Sequence, residues 1–124
     1  MNGAGLIAQE RQRQIEKEGW TPEHDDEHDG NELAWMAVCY TAPKQVFRQS
    51  VRFGGSVYFL DCFPETWSRQ WDKRKYDTKT DRPIDNYKLS PKDRICNLVK
   101  AGALIAAEID RLQRLQEKNN AEKA

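Results

Sequence analysis

The stretch SPKDRICNLVKAGALIAAEIDRLQRLQEK (Ser90 to Lys118) constrains the fold more than any other part of this chain. Ser90 suits an N-cap, Pro91 the first helical position, and Asp93 the positive end of the helix. Ile95, Leu98, Gly102, Ile105, Ile109 and Leu112 then recur at alternating three- and four-residue steps. That seam suits packing against another helix, with Gly102 permitting close backbone approach. A helix running to Lys118 is roughly 40 Å long, whereas a compact domain of 124 residues has a radius of gyration near ~14 Å. One end is therefore expected to project or to meet another subunit, which predicts a homo-oligomer. Residues 119–124 (NNAEKA) read as a fraying tail.

Two further helices precede it. LIAQERQRQIEKEG (Leu6 to Gly19) is rich in helix formers and ends on glycine, with Leu6, Ile7 and Ile15 as its inward contacts. So polar a helix adds little core, and its charged face must be solvated or functional. GNELAWMAVCYTAP (Gly30 to Pro43) is capped near Asn31 and stopped by Pro43. Leu33, Met36, Ala37 and Tyr40 share one face that Ala34, Val38 and Thr41 widen, placing this helix at the centre of the domain. Residues 43–89 form a connection far longer than a helix bundle requires. It holds a strand-like run, SVYFL, then PETWSRQW as one or two helical turns with Trp67 and Trp71 four apart, then the turn-rich DKRKYDTKTDRP. The expected fold is a mainly α-helical single domain (1–118) of three principal helices, with an aromatic-rich insertion holding a short strand or hairpin and folding over the helices.

Charge narrows the function classes. Lysine plus arginine and aspartate plus glutamate number 20 each, so no global field steers the chain to nucleic acid or membrane. No apolar run reaches the length of a membrane span, and the N-terminal run is too short for a signal peptide, so a soluble cytoplasmic protein is expected. Cys39, Cys62 and Cys96 are odd in number and widely spaced among apolar or helical residues, which predicts three reduced, buried thiols.

The chemistry concentrates in GWTPEHDDEHDG (Gly19 to Gly30), which carries both histidines and five carboxylates. An EF-hand register fails, because Met36 stands where a bidentate glutamate is needed. His24 and His28 have the i, i+4 spacing of two zinc ligands, with Asp25, Asp26 or Glu32 as a third, although a zincin needs glutamate where Asp25 stands. Two metal-free readings stand beside zinc: a solvated loop leading into the next helix, and a polar ligand site. A MazG-like nucleotide pyrophosphohydrolase is the enzyme alternative, since EHDD (Glu23 to Asp26) has the Glu-x-x-Asp spacing. The first helix, however, lacks the paired glutamates that would complete such a site. Trp67 and Trp71 with Arg69, Lys73, Arg74 and Lys75 offer a nucleic-acid surface, or anchors that fix the insertion to the helices.

ERQRQIEKEGWTPEHDDEHDGNELAWMAVCYTAP together with RICNLVKAGALIAAEIDRL resembles a group of small phage and prophage proteins, which implies a viral accessory protein in a bacterial cytoplasm. RQIEKEGWTPEHDD followed by YKLSPKDRICNLVKAGALI is similar to the ryanodine-receptor repeat (RyR) module at Gly19, Trp20, Thr21, Asp25, Asp26, Leu89, Asp93 and Arg94. That second resemblance implies the sensing of nucleotide-like signals. The expected function is a phage-type protein that sequesters a nucleotide-like or phosphorylated signalling molecule to counter host defence. Arg11, Arg13 and Arg94 are expected to hold phosphate, and Trp20 to stack a base. His24, Asp25, Asp26 and His28 are expected to read polar edges, and together with Trp20 to wall a pocket closed by the first helix and the start of the third. No catalytic residue, metal or cofactor is assigned. A protein inhibitor that reaches a host protein through Trp67 and Trp71 is the third class.

Overall fold

The computed structural model describes residues 1–123 and is mainly α-helical. Helix α1 (Gly3–Glu18) opens on Asn2, whose Oδ1 accepts from the Gly5 amide at 3.0 Å. It ends at Gly19 in the left-handed conformation (φ 73°), where a side chain would be strained. The acidic stretch is not a plain loop. Thr21 and Pro22 start a short helix, α2 (Pro22–Asp26), and Thr21 Oγ1 caps the His24 amide. Helix α3 (Glu32–Thr41) buries Leu33, Met36, Ala37 and Tyr40 as its sequence predicts, but Ala34 and Thr41 face outward. Asn31 precedes it without a side-chain cap, and Glu32 instead folds its carboxylate back to accept from the Gly30 amide and the Thr66 hydroxyl.

Helix α4 (Pro91–Lys123) runs past the expected end at Lys118 through most of the expected frayed tail, and residue 124 lies outside the described residues. Its 33 residues span roughly 50 Å at 1.5 Å each. Ser90 Oγ caps Asp93 as expected. The expected seam is not the buried side. Asn97, Ala101, Leu104, Ala107, Glu108 and Arg111 are buried, while Ile95, Leu98, Ile105, Ile109 and Leu112 stay 41–51% exposed. At Gly102 the seam meets α1: a Cβ there would lie 2.5 Å from Ile7 Cδ1, so α1 docks through the missing side chain. The small residues Ala101, Ala103 and Ala107 let α1 and α3 lie close to α4.

The insertion is folded. Strands β1 (Phe47–Val51) and β2 (Val57–Asp61) form an antiparallel hairpin, in register Phe47 to Asp61 and Val51 to Val57. Two short strands, β3 (Tyr76–Asp77) and β4 (Arg82–Pro83), form a second hairpin. The expected helical turns around the tryptophans reduce to a single 3-10 turn at Arg69–Trp71. Phe63 and Trp67 enter the core beside Trp20, Leu33 and Met36. Arg74, 8% exposed, ties the insertion together by ion pairs to Asp61 (2.6 Å) and Asp72 (2.9 Å). At the far end, Asn86 donates to Cys39 O and Ala42 O, and Asn97 donates to Asn86, so buried amides close the C-terminus of α3.

The cysteine expectation is corrected in two respects. Cys39 on α3 and Cys62 after β2 form a disulfide (Cα–Cα 6.0 Å), and Cys96 is a free, exposed thiol rather than a buried one. The insertion folds back and brings together two buried positions 23 residues apart.

Candidate functional site

The histidines sit inside a directed chain of hydrogen bonds. An indole nitrogen only donates, so Trp67 Nε1–H donates a hydrogen bond to His28 Nδ1 at 3.1 Å. His28 then carries its hydrogen on Nε2, which lies 3.2 Å from His24 Nε2. His24 must accept there, so its Nδ1–H points to Asp25 Oδ1 at 3.3 Å. Asp25 Oδ2 accepts from Arg11 at 2.7 Å, and Arg11 also donates to the Trp20 carbonyl. Asp25 is fully buried and Arg11 is 12% exposed, so both charges are committed inside the protein. Trp20 stacks parallel to His24, and Trp71 meets Trp67 edge-on with centroids 5.0 Å apart.

One set of protonation states satisfies this chain, with both imidazoles neutral. It also disfavours the zinc reading, since His28 cannot accept at Nδ1 and bind metal at Nε2 without losing its last proton. Among the described residues, the one trio of metal-type donors that converges is Cys39, Asp61 and Cys62. Its sulfurs are joined to each other, and its carboxylate is held by Arg74.

Burial, then the electrostatic influence of the neighbouring His24, holds His28 below its ordinary value of 6.5, against the opposing pull of Glu32, Asp25 and Glu27. A folded value below the unfolded one means that the unfolded chain binds the proton first. This part of the stability is therefore complete above about pH 6.5 and is lost as pH falls toward the lowered folded value. Urea melts between pH 8 and 5 should show falling stability through that window, with a flatter profile for His28→Gln. A flat profile for the unmodified protein would count against the neutral chain.

The remaining expected site residues scatter. Asp26, half exposed, pairs with Arg114 at 2.8 Å rather than facing a pocket. Arg94 caps α3, donating to Tyr40 O and Thr41 O, and takes no part in an anion site with Arg11. The expected pocket formed by the acidic stretch, α1 and the start of α4 is therefore not the arrangement found. Arg13 lies on the other side of Trp20, chelated by Glu10 (2.7 and 2.9 Å) and touching Glu18 at 3.2 Å. Trp67, 4% exposed, anchors the insertion, as does the half-buried Trp71.

A different cleft opens beside Arg13. It is shallow, with room for about one water molecule (about 10 Å³), and lies between α1, the 3-10 turn and α4. Trp20, Trp71, Tyr40 and Leu104 form its apolar wall, and Glu10, Arg13, Gln14, Glu18, Lys73 and Lys100 its polar one. Two of these residues are nearly fully buried and hold unpartnered polar atoms: the Trp20 Nε1–H donor and the Gln14 Oε1 acceptor. Lys73 and Lys100 form no ion pair among the described residues. Gln14 and Lys100 escape sequence reasoning, and Lys73 is legible only as one cation of the basic insertion. Gln14 reads as one more polar position of α1, and Lys73 reaches the cleft only because its amide is pinned to Tyr40 Oη at 2.8 Å.

Among the described residues, no helix is long and apolar enough to cross a membrane. Compared with protein-family models, curated proteins and solved structures, the chain matches none.

Proposed function

We propose that this chain is a small-molecule binding protein, and that its ligand is nucleotide-like or phosphorylated and sits in the cleft beside Arg13. The observation that carries the reading is the pair of unpartnered buried atoms on Trp20 and Gln14. Each orphaned group costs about 1–3 kcal/mol unless something completes it. One water could bridge these two atoms in the closed cleft, and a planar heterocycle that displaced it would offer an acceptor for the indole N–H and a donor for the amide oxygen, with Trp20 and Trp71 as aromatic walls. As it stands the cleft has room for about one water molecule, about 10 Å³, so a ring enters only as the half-buried Trp71 and the Arg13 side chain move aside. The phosphate then lies at the mouth, where Lys73 and Lys100 are the free cations. Arg13 contributes by position, since its guanidinium is already neutralised by Glu10 and Glu18.

In the phage setting implied by the sequence resemblance, such a protein would sequester a host signalling molecule and so counter defence. The pyrophosphohydrolase alternative has less support. Glu10 and Glu18 line the cleft but both face Arg13, so they are not free to gather magnesium.

The test is a thermal-shift screen of nucleotides and cyclic nucleotides. A true ligand at a hundredfold excess over its dissociation constant adds about 2.7 kcal/mol of stability. It should also change the emission of Trp20 and Trp71. Lys73→Ala with Lys100→Ala should leave the unliganded melting temperature within a few degrees and abolish the ligand-induced rise. A rise that survives both substitutions would place the ligand elsewhere, and no rise with any compound would sink the reading.

A further inference from the structure

Helix α4 presents a second stripe that stays half exposed on either side of Gly102, where Ile7 of α1 is seated. Ile95, Leu98, Ile105, Ile109, Leu112 and Leu115 are 41–51% exposed, and Ile7, seated on Gly102, borders them. Four of these residues are isoleucine or leucine on the 3.5-residue repeat between Leu98 and Leu112, the period of helices that pair along a seam. No charged residue falls on that repeat from Ile95 to Leu112. We propose that the stripe is the contact of a two-fold homodimer in which two α4 helices pair antiparallel, centred on Ile105.

Self-complementarity about that centre favours a second copy over another partner. Leu98 and Leu112 lie seven residues on either side of Ile105, and Ile95 and Leu115 ten. An antiparallel two-fold therefore sets Ile105 against its own copy, Leu98 against the partner's Leu112, and Ile95 against the partner's Leu115, while Ile109 packs beside these layers rather than against a stripe residue. Antiparallel pairing also opposes the two helix dipoles. The six side chains expose roughly 500 Å² of apolar surface per copy, the size at which a patch marks an interaction site. Two copies would bury roughly 1,000 Å² from these side chains alone, the lower bound for a specific interface. The contact is independent of the cleft, whose lining residues it does not use.

The test uses the full chain. Sedimentation should give twice the 14.4 kDa chain mass, and Ile105→Glu with Ile109→Glu should halve it. Because both residues are half exposed, the helical circular dichroism should be retained. Cross-linking keeps the test decisive if that variant misfolds. In a Cys96→Ser background, Ile105→Cys should form a disulfide with its own copy in high yield. Leu98→Cys should do so only when mixed with Leu112→Cys. Self-linking of Leu98→Cys alone would overturn the antiparallel arrangement, and a 14.4 kDa mass at all concentrations would overturn the dimer.

Discussion

Arg11→Met should lower the unfolding free energy by about 3–5 kcal/mol, because it strands a fully buried carboxylate. Asp25 would keep one hydrogen-bond donor, the Nδ1–H of His24, and lose the guanidinium that neutralises it. The Trp20 carbonyl would lose a donor as well. For a domain of this size the loss corresponds to a fall in melting temperature of roughly 10–20 °C, a large share of the about 5–15 kcal/mol that holds a typical domain folded. Asp26→Ala is the control one residue away. Asp26 is half exposed and its partner Arg114 a third exposed, so that pair should be worth no more than about 1 kcal/mol. The double change Arg11→Met with Asp25→Leu should recover most of the loss, since replacing a buried pair by apolar groups is often near neutral. Equal effects for Asp25→Ala and Asp26→Ala in chemical denaturation would refute this division of roles.

The contrast between those neighbours marks the limit of what the chain discloses as a sequence. Helix periodicity placed Leu33, Met36, Ala37 and Tyr40 in the core, and the Ser90–Pro91 start of α4 follows from capping chemistry alone. Periodicity could not say which stripe of α4 is covered, because two apolar stripes run along it and the buried one is built from alanine. The acidic stretch was legible as a cluster but not as a geometry. Thr21–Pro22 turns it into a helix that aims Asp25 inward at α1 and Asp26 outward at α4. Arg94 carries the charge expected of a phosphate ligand, yet the open end of α3 claims it. The cleft is formed by residues from four parts of the chain, and its most informative atoms belong to Gln14 and Trp20. No local pattern indicates that a glutamine's oxygen will be left without a partner.

The Cys39–Cys62 bond should be worth about 3 kcal/mol, the chain-entropy value for a loop of this length. It joins the last turn of α3 to the segment that delivers Phe63 and Trp67 to the core, so it shortens the loop that the first half of the insertion must close. Both sulfurs are buried and Asp61 lies 3.6 Å from Cys62 Sγ. That burial shields both sulfurs, so the reduced pair should be inert to alkylation while the chain stays folded. Counting reactive thiols separates the possibilities. The native chain should label at Cys96 alone, the denatured unreduced chain still at Cys96 alone, and the denatured reduced chain at all three cysteines. Unfolding with reductant should match that of Cys39→Ala with Cys62→Ala to within the packing difference of two small side chains, both about 3 kcal/mol below the oxidised protein. In a reducing compartment the chain would therefore operate with that much less stability, and its insertion would be the first part to loosen. Three reactive thiols in the denatured, unreduced chain would show that the sulfurs meet without bonding, and the stability of the insertion would then rest on Arg74 and the tryptophans.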